Sequence, residues 1–230
     1  DYQSVTGDAR IGDAGQIMLH AVVYSRDAEA PGAKDSTLFQ PVIGNGSQRI
    51  LTKETPLDGI KLTHAISADG MAPISEQSAV HFARSNRDRI ILRTAIGPDV
   101  SHAVIAHTGT TLDGQIAGRI GDAHANRSGD VAFVSFIDHA KRGGQYLQEV
   151  WFSSSNGDLR RLAYPGQAVL GRDGETIEGI FMSNQSHEPK MHNTQGGRSR
   201  GIADSGAVLF SGRLRKGSGW HNALFVAVPQ

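Results

Sequence analysis

The chain has no cysteine, so it forms no disulfide, builds no thiolate metal site and offers no thiol nucleophile. It has no net charge either. Its 23 Lys and Arg balance 23 Asp and Glu, which removes the electrostatic footprint of a nucleic-acid or anionic-membrane binder. Apolar runs are short. VAFVSFI (131–137) and ALFVAV (223–228) fall far below the ~20 residues of a spanning helix, so no membrane insertion is expected. Helical periodicity is scarce, with 74–84 (ISEQSAVHFAR) the one stretch that fits a short amphipathic helix, and it fits a strand equally well. No nucleophile elbow GxSxG, phosphate-cradling GxxxxGK[ST] or dinucleotide GxGxxG follows a strand pattern.

What the chain has is glycine and repetition. Its 28 glycines accompany a phrase that recurs four times: GDAGQIMLHAVV (12–23), SNRDRIILRTAI (85–96), NRSGDVAFVSFI (126–137) and ADSGAVLFSGRL (203–214). Each copy sets a polar turn of Asp, Asn, Ser or Gly directly before apolar and β-branched residues, the pattern of a tight turn feeding a buried strand. A unit of this kind buries its apolar face only by stacking on a neighbour, so the phrase predicts an all-β tandem repeat. A propeller-like arrangement is expected, with a β-sandwich of repeated hairpins as the alternative. The strand alternation makes Ile17, Leu19, Ile90, Leu92, Val131, Phe133, Val208 and Phe210 equivalent core positions.

The units are spaced unevenly. They lie near 12–84, 85–125, 126–202 and 203–230, with 1–11 completing the last, which predicts one β-repeat domain over 1–230. Segments 36–62 and 148–177 share a second feature, a strand, an Asn-Gly turn (Asn45-Gly46; Asn156-Gly157) and a returning strand, the form of a β-hairpin. Two polar stretches read as loop insertions, 27–36 (DAEAPGAKDS) and 183–200 (SNQSHEPKMHNTQGGRSR), and loops on a rigid scaffold are where binding groups gather.

The phrases NRSGDVAF (126–133) and ADSGAVLF (203–210), with the later PGQAVLG (165–171), resemble the tandem repeats of bacterial choice-of-anchor proteins, built on an Asn-x-x-Gly-x-x-Ala-Phe core. The resemblance implies propeller-type β units in a secreted or surface protein, with no enzymatic activity and no catalytic residues. The first copy departs from the pattern with Gly12 and Met18-Leu19, and the second with Ser85, Asp88 and Ile91-Leu92. The chain opens on Asp1 without a basic-apolar leader, which fits a matured secreted product or a piece of a longer protein.

Candidate site residues fall into three groups. Trp220 follows a basic glycine turn and precedes His221; with Tyr146 and Arg198 these are the side chains suited to stack on and hydrogen-bond a ligand. His187, Glu188 and His192 are candidate ligands for a divalent metal, with His221 or Asp204 as a third. Pro189 and the five-residue histidine spacing exclude a helical metal site, and a solvated loop with no cofactor is the plainer reading. Asp13, Asp88, Asp130 and Asp204 lie in or beside equivalent turns, either as acid/base carboxylates or, more simply, as turn-stabilising groups bonded to their own backbone. Trp151, between Val150 and Phe152, reads as core.

Three functions remain open at this level. The first is a non-catalytic extracellular module that recognises a glycan or protein through rim loops. The second is a polysaccharide hydrolase or lyase using loop histidines and carboxylates, and the third a structural spacer in a larger surface protein. A propeller-like fold hosts binding and catalysis alike.

Overall fold

A computed structural model of the chain describes residues 9–12, 15–25, 32–40, 46–63, 72–86, 88–142, 145–180 and 201–229. Among the described residues there are sixteen strands and no helix. The chain divides into two compact units, 1–106 and 107–230.

The first unit holds two antiparallel four-stranded meanders. One runs β1 (Ala9–Ile11), β2 (Ile17–Ser25), β3 (Gly32–Gln40), β4 (Gln48–Thr52), and the other β5 (Ala72–Ser75), β6 (Ser78–Ser85), β7 (Asp88–Ala95), β8 (Ser101–His107). The second unit holds a five-stranded sheet and a three-stranded one. The former has the order β13-β12-β11-β10-β9, from β9 (Thr111–Leu112), β10 (Gln115–Ala125), β11 (Val131–Arg142), β12 (Gln145–Ser153) and β13 (Leu159–Ala163). The latter is β14 (Glu175–Ile180), β15 (Val208–Lys216) and β16 (Gly219–Ala227). The five-stranded sheet curls: Arg161 on one edge strand reaches Asp113, beyond the opposite edge strand, at 3.0 Å.

The turn of the recurring phrase has one geometry in three of its four copies. In 12–16, 126–130 and 203–207 the first N–H bonds the fifth carbonyl, and the fourth N–H bonds the first carbonyl. The fourth residue is always a glycine with left-handed backbone: Gly15 (φ 86°), Gly129 (φ 82°) and Gly206 (φ 82°). A Cβ is disfavoured there, which is why the phrase needs glycine at that place. The Asn-Gly turn at 154–158 repeats the pattern, with Gly157 at φ 100°. The second copy differs. It has Asp88 where the others have glycine, so the left-handed residue moves to Asn86 (φ 55°) and Ser85 pairs Asp88 in a two-residue hairpin.

Three local readings are settled by the ladders. Residues 78–85 form β6 rather than a helix, because Ala79, His81 and Ala83 face one side and Val80 and Phe82 the other, and both sides are buried. Part of the polar insertion at 27–36 is strand: β3 begins at Gly32, which pairs Ser25. The hairpin expected around Asn156-Gly157 is β12–β13, and Trp151 at 1% exposure is core.

Each unit has its own core. In the first, Met18 of β2 meets Ala79, Ala83, Ile90 and Leu92 of the second sheet. In the second, Ala132, Val134, Val150 and Phe152 meet Val208, Phe210, Leu214 and Phe225. Phe210 and Phe225, cross-strand partners, stack with ring centroids 5.1 Å apart. Six of the eight expected core residues are buried, but Ile17 and Leu19 are only half-buried.

The turns also tie the two sheets of the second unit together. The Asn126 side-chain amide donates to Asp130 (2.9 Å) and across to the Ala203 carbonyl (3.1 Å), while its oxygen accepts from the N–H of Ser128 and Asp130. Asp204 accepts from the Arg127 N–H, and Asp130 from the Ser155 N–H. Asp130 and Asp204 thus brace neighbouring turns rather than their own backbone, which differs from the local bonding expected of them, and Asp13 lies outside the described residues.

Two substitutions test this framework by urea denaturation. Phe133→Ala, at a fully enclosed side chain, is expected to cost about 3–5 kcal/mol, and a loss under about 1 kcal/mol would contradict its placement. Asn126→Ala removes four hydrogen bonds from a side chain that is almost wholly buried and is expected to cost about 2–4 kcal/mol. An unchanged midpoint would mean that the turn-to-turn bonds do not hold the sheets.

Candidate functional site

The tip of the β15–β16 hairpin exposes an aromatic ring beside guanidinium and amide side chains. The turn at Gly217 (φ 57°) reverses the chain so that Arg215 pairs Trp220 and Arg213 pairs Asn222. Strand alternation places all four side chains on one face of the sheet. The Arg213 guanidinium lies 4.1 Å from the centroid of the Trp220 ring, a diagonal cation–π contact that holds the indole from one side. Trp220 remains 56% exposed, and Asn222 and Arg215 are exposed beside it. Arg215 is oriented by a bond from its Nε to the Gly217 carbonyl at 3.1 Å. The surface therefore combines a fixed aromatic ring, guanidinium donors and a side-chain amide.

Below it, Glu175 anchors the hairpin. Its carboxylate accepts from Arg172 (3.2 Å) and Lys216 (3.3 Å). Burial pushes its pKa upward, but the two cations outweigh that and hold it below the usual carboxylate range.

The other candidate residues do not gather here. His221 follows Trp220 but points to the opposite face, where it is exposed. Tyr146 belongs to β12 in the other sheet, paired with Lys141, and its side chain lies outside the described residues. His187, Glu188, His192 and Arg198 lie outside the described residues altogether. Among the described residues no group of three His, Asp or Glu is placed to hold a metal ion.

Sequence reasoning missed two clusters. The first is the clasp of the curled sheet, in which Arg161 bonds the buried Glu149 (2.9 Å), pairs with Asp113 and lies 4.2 Å from the centroid of Tyr164. Glu149 and Tyr164 come beside Arg161 through the β12–β13 pairing and the residues that follow it, whereas Asp113 is distant in sequence and is brought there by the curl. With its fork occupied by both carboxylates, Arg161 is a structural brace.

The second is a histidine pair in the first unit, with His81 buried and His102 half-buried. The Thr94 hydroxyl lies 2.8 Å from His102 Nδ1 and 3.3 Å from His81 Nδ1, and the two rings meet edge to face. His81 is wholly buried among Ala79, Ala83, Ile90 and Leu92, and its Nε2 has no hydrogen-bond partner. Desolvation, with the neighbouring His102 adding to it, pushes the His81 pKa down to about 3. Burial lowers that of His102 as well, partly offset by its bond to the Ile50 backbone. A histidine within a strand pattern gives no sequence signal of this burial.

A scan of the chain against family models finds no match, and a search of curated proteins finds none either.

The histidine pair sets an expected pH dependence. Between about pH 6.5 and about pH 3 the unfolded chain binds a proton at residue 81 that the folded chain does not, so stability falls as pH falls through that window. Urea denaturation at neutral pH and at about pH 4 is expected to show the parent losing up to about 3 kcal/mol more than His81→Gln. Equal losses would mean that His81 is not held neutral.

Proposed function

We propose that the chain is a non-catalytic, extracellular β-repeat module of propeller-like build that binds a glycan on the Trp220 face. The observation that carries this reading is the exposed indole, held by Arg213 beside Asn222 and Arg215. Sugars present axial C–H groups that stack on an aromatic face and hydroxyls that take up amide and guanidinium donors. Two guanidinium groups on the same face favour an acidic sugar, because Arg matches a carboxylate or sulfate with a planar pair of donors.

The propeller-like arrangement rests on the meandering antiparallel sheets and on the repeated turn geometry. The likeness of 126–133 and 203–210 to choice-of-anchor repeats supports the same build and an extracellular setting. A binding role accords with a side-chain inventory in which Asp130 and Asp204 serve the turns and Arg161 holds Glu149 and Asp113.

A glycan array followed by calorimetry tests the reading. The parent chain is expected to bind an acidic glycan more weakly at high salt, and Trp220→Ala is expected to lose at least about tenfold in affinity, or about 1.4 kcal/mol, with an unchanged melting temperature. An array without hits, or a Trp220→Ala variant that binds as the parent does, would refute it.

A further inference from the structure

The sheet face that carries Trp220 continues beyond the hairpin tip. Cross-strand pairs run down it in register: Arg215 with Trp220, Arg213 with Asn222, Ser211 with Leu224, and Leu209 with Val226. Successive residues of a strand point to opposite faces, so these side chains share one face, while Phe210, Leu214 and Phe225 between them enter the core of the unit. The character of the shared face changes once along its length. Rows at the tip carry guanidinium, indole and amide groups; the rows below carry Ser211 and the aliphatic Leu209, Leu224 and Val226.

The aliphatic rows are open to solvent. Leu224 and Val226 are 62% and 66% exposed, and Val228 follows just beyond the strand at 63%. At about 3.3 Å per residue, the strip from Leu224 to Val228 runs about 13 Å, and it starts at the residue pair next to Asn222 and Arg213. A contiguous exposed apolar strip marks an interaction site, and this one adjoins a polar, cationic surface without a break.

We propose that the Trp220 face takes an acidic glycolipid as a single molecule, with the sugar on the indole and its alkyl chain along Leu224, Val226 and Leu209. The inference rests on the reading of Trp220 as a glycan platform and adds the group attached to the sugar. A free oligosaccharide would leave the aliphatic rows in water, and a wholly apolar partner would desolvate Arg215 and Asn222 without pairing them. An amphiphile meets both halves, anion against guanidinium at the tip and alkyl chain against aliphatic side chains below. The order of the halves favours a single molecule over a bilayer. The charged groups Arg215 and Lys216 lie at the tip and the aliphatic ones toward the base, so a membrane met tip first would leave Leu224 and Val226 outside its hydrocarbon.

Methyl glucuronide, octyl glucuronide and octyl glucoside, each titrated below its micelle concentration, separate the contributions of charge and chain. Binding is followed by NMR, through the indole N–H signals of the two tryptophans and the methyl signals of leucine and valine. Octyl glucuronide is expected to bind at least about tenfold more tightly than either other probe, shifting Trp220, Leu224 and Val226 and leaving the buried Trp151 unmoved. Leu224→Ser, checked for the parent melting temperature, is expected to reduce its affinity to that of methyl glucuronide. Two glucuronides that bind equally, and are both lost in Trp220→Ala, would overturn the glycolipid and leave the glycan reading standing. Octyl glucoside binding as tightly as octyl glucuronide would show a bare apolar patch, and shifts that appear only with micelles a membrane-like surface; either overturns the proposal. So would a parent that binds none of the three, while the glycan array decides the reading of Trp220 separately.

Discussion

The structure depends on a glycine held in the left-handed region at the fourth place of a five-residue turn. Gly15, Gly129, Gly157 and Gly206 each let the chain reverse so that the first and fifth residues bond, which fixes the register of the strands that follow. Register matters because a slip of one residue would move every apolar side chain to the wrong face. At 126–130 and 203–207 the same turns also bond to each other, through Asn126 and Asp204, so one local motif sets both the pairing within a sheet and the seating of one sheet on another.

The turn and the strand it feeds were legible because both are local. Glycine after a polar pair, then alternating apolar residues, specifies the hairpin without reference to the rest of the chain. The second copy shows the limit of pattern reading: with Asp88 in place of glycine it kept the strand but exchanged the turn for a tighter hairpin around Asn86. Ile17 and Leu19 show another limit, since equivalence in a repeat does not make a position buried when no sheet covers it.

The site was legible in part. Trp220 was recognisable from its place after a basic glycine turn, and the hairpin register then supplied Arg213, which no local pattern marks as its neighbour. The Arg161 clasp and the His81–Thr94–His102 cluster were not legible, because each depends on strands brought together by sheet order or curl. Each includes a buried polar group, Glu149 in the first and His81 in the second, whose desolvation is offset by its surroundings, and both are structural in character.

Amide hydrogen exchange at the four turn glycines tests the central claim most directly. If these turns fix the strand register, the N–H groups of Gly15, Gly129, Gly157 and Gly206, each bonded to the carbonyl three residues before, are protected, and those of Gly129 and Gly206 exchange together with Val131 and Val208 of the strands they feed. Exchange of these glycines at the rate of an open loop, while the strands stay protected, would show that the sheets hold their register without the turns and would contradict the account.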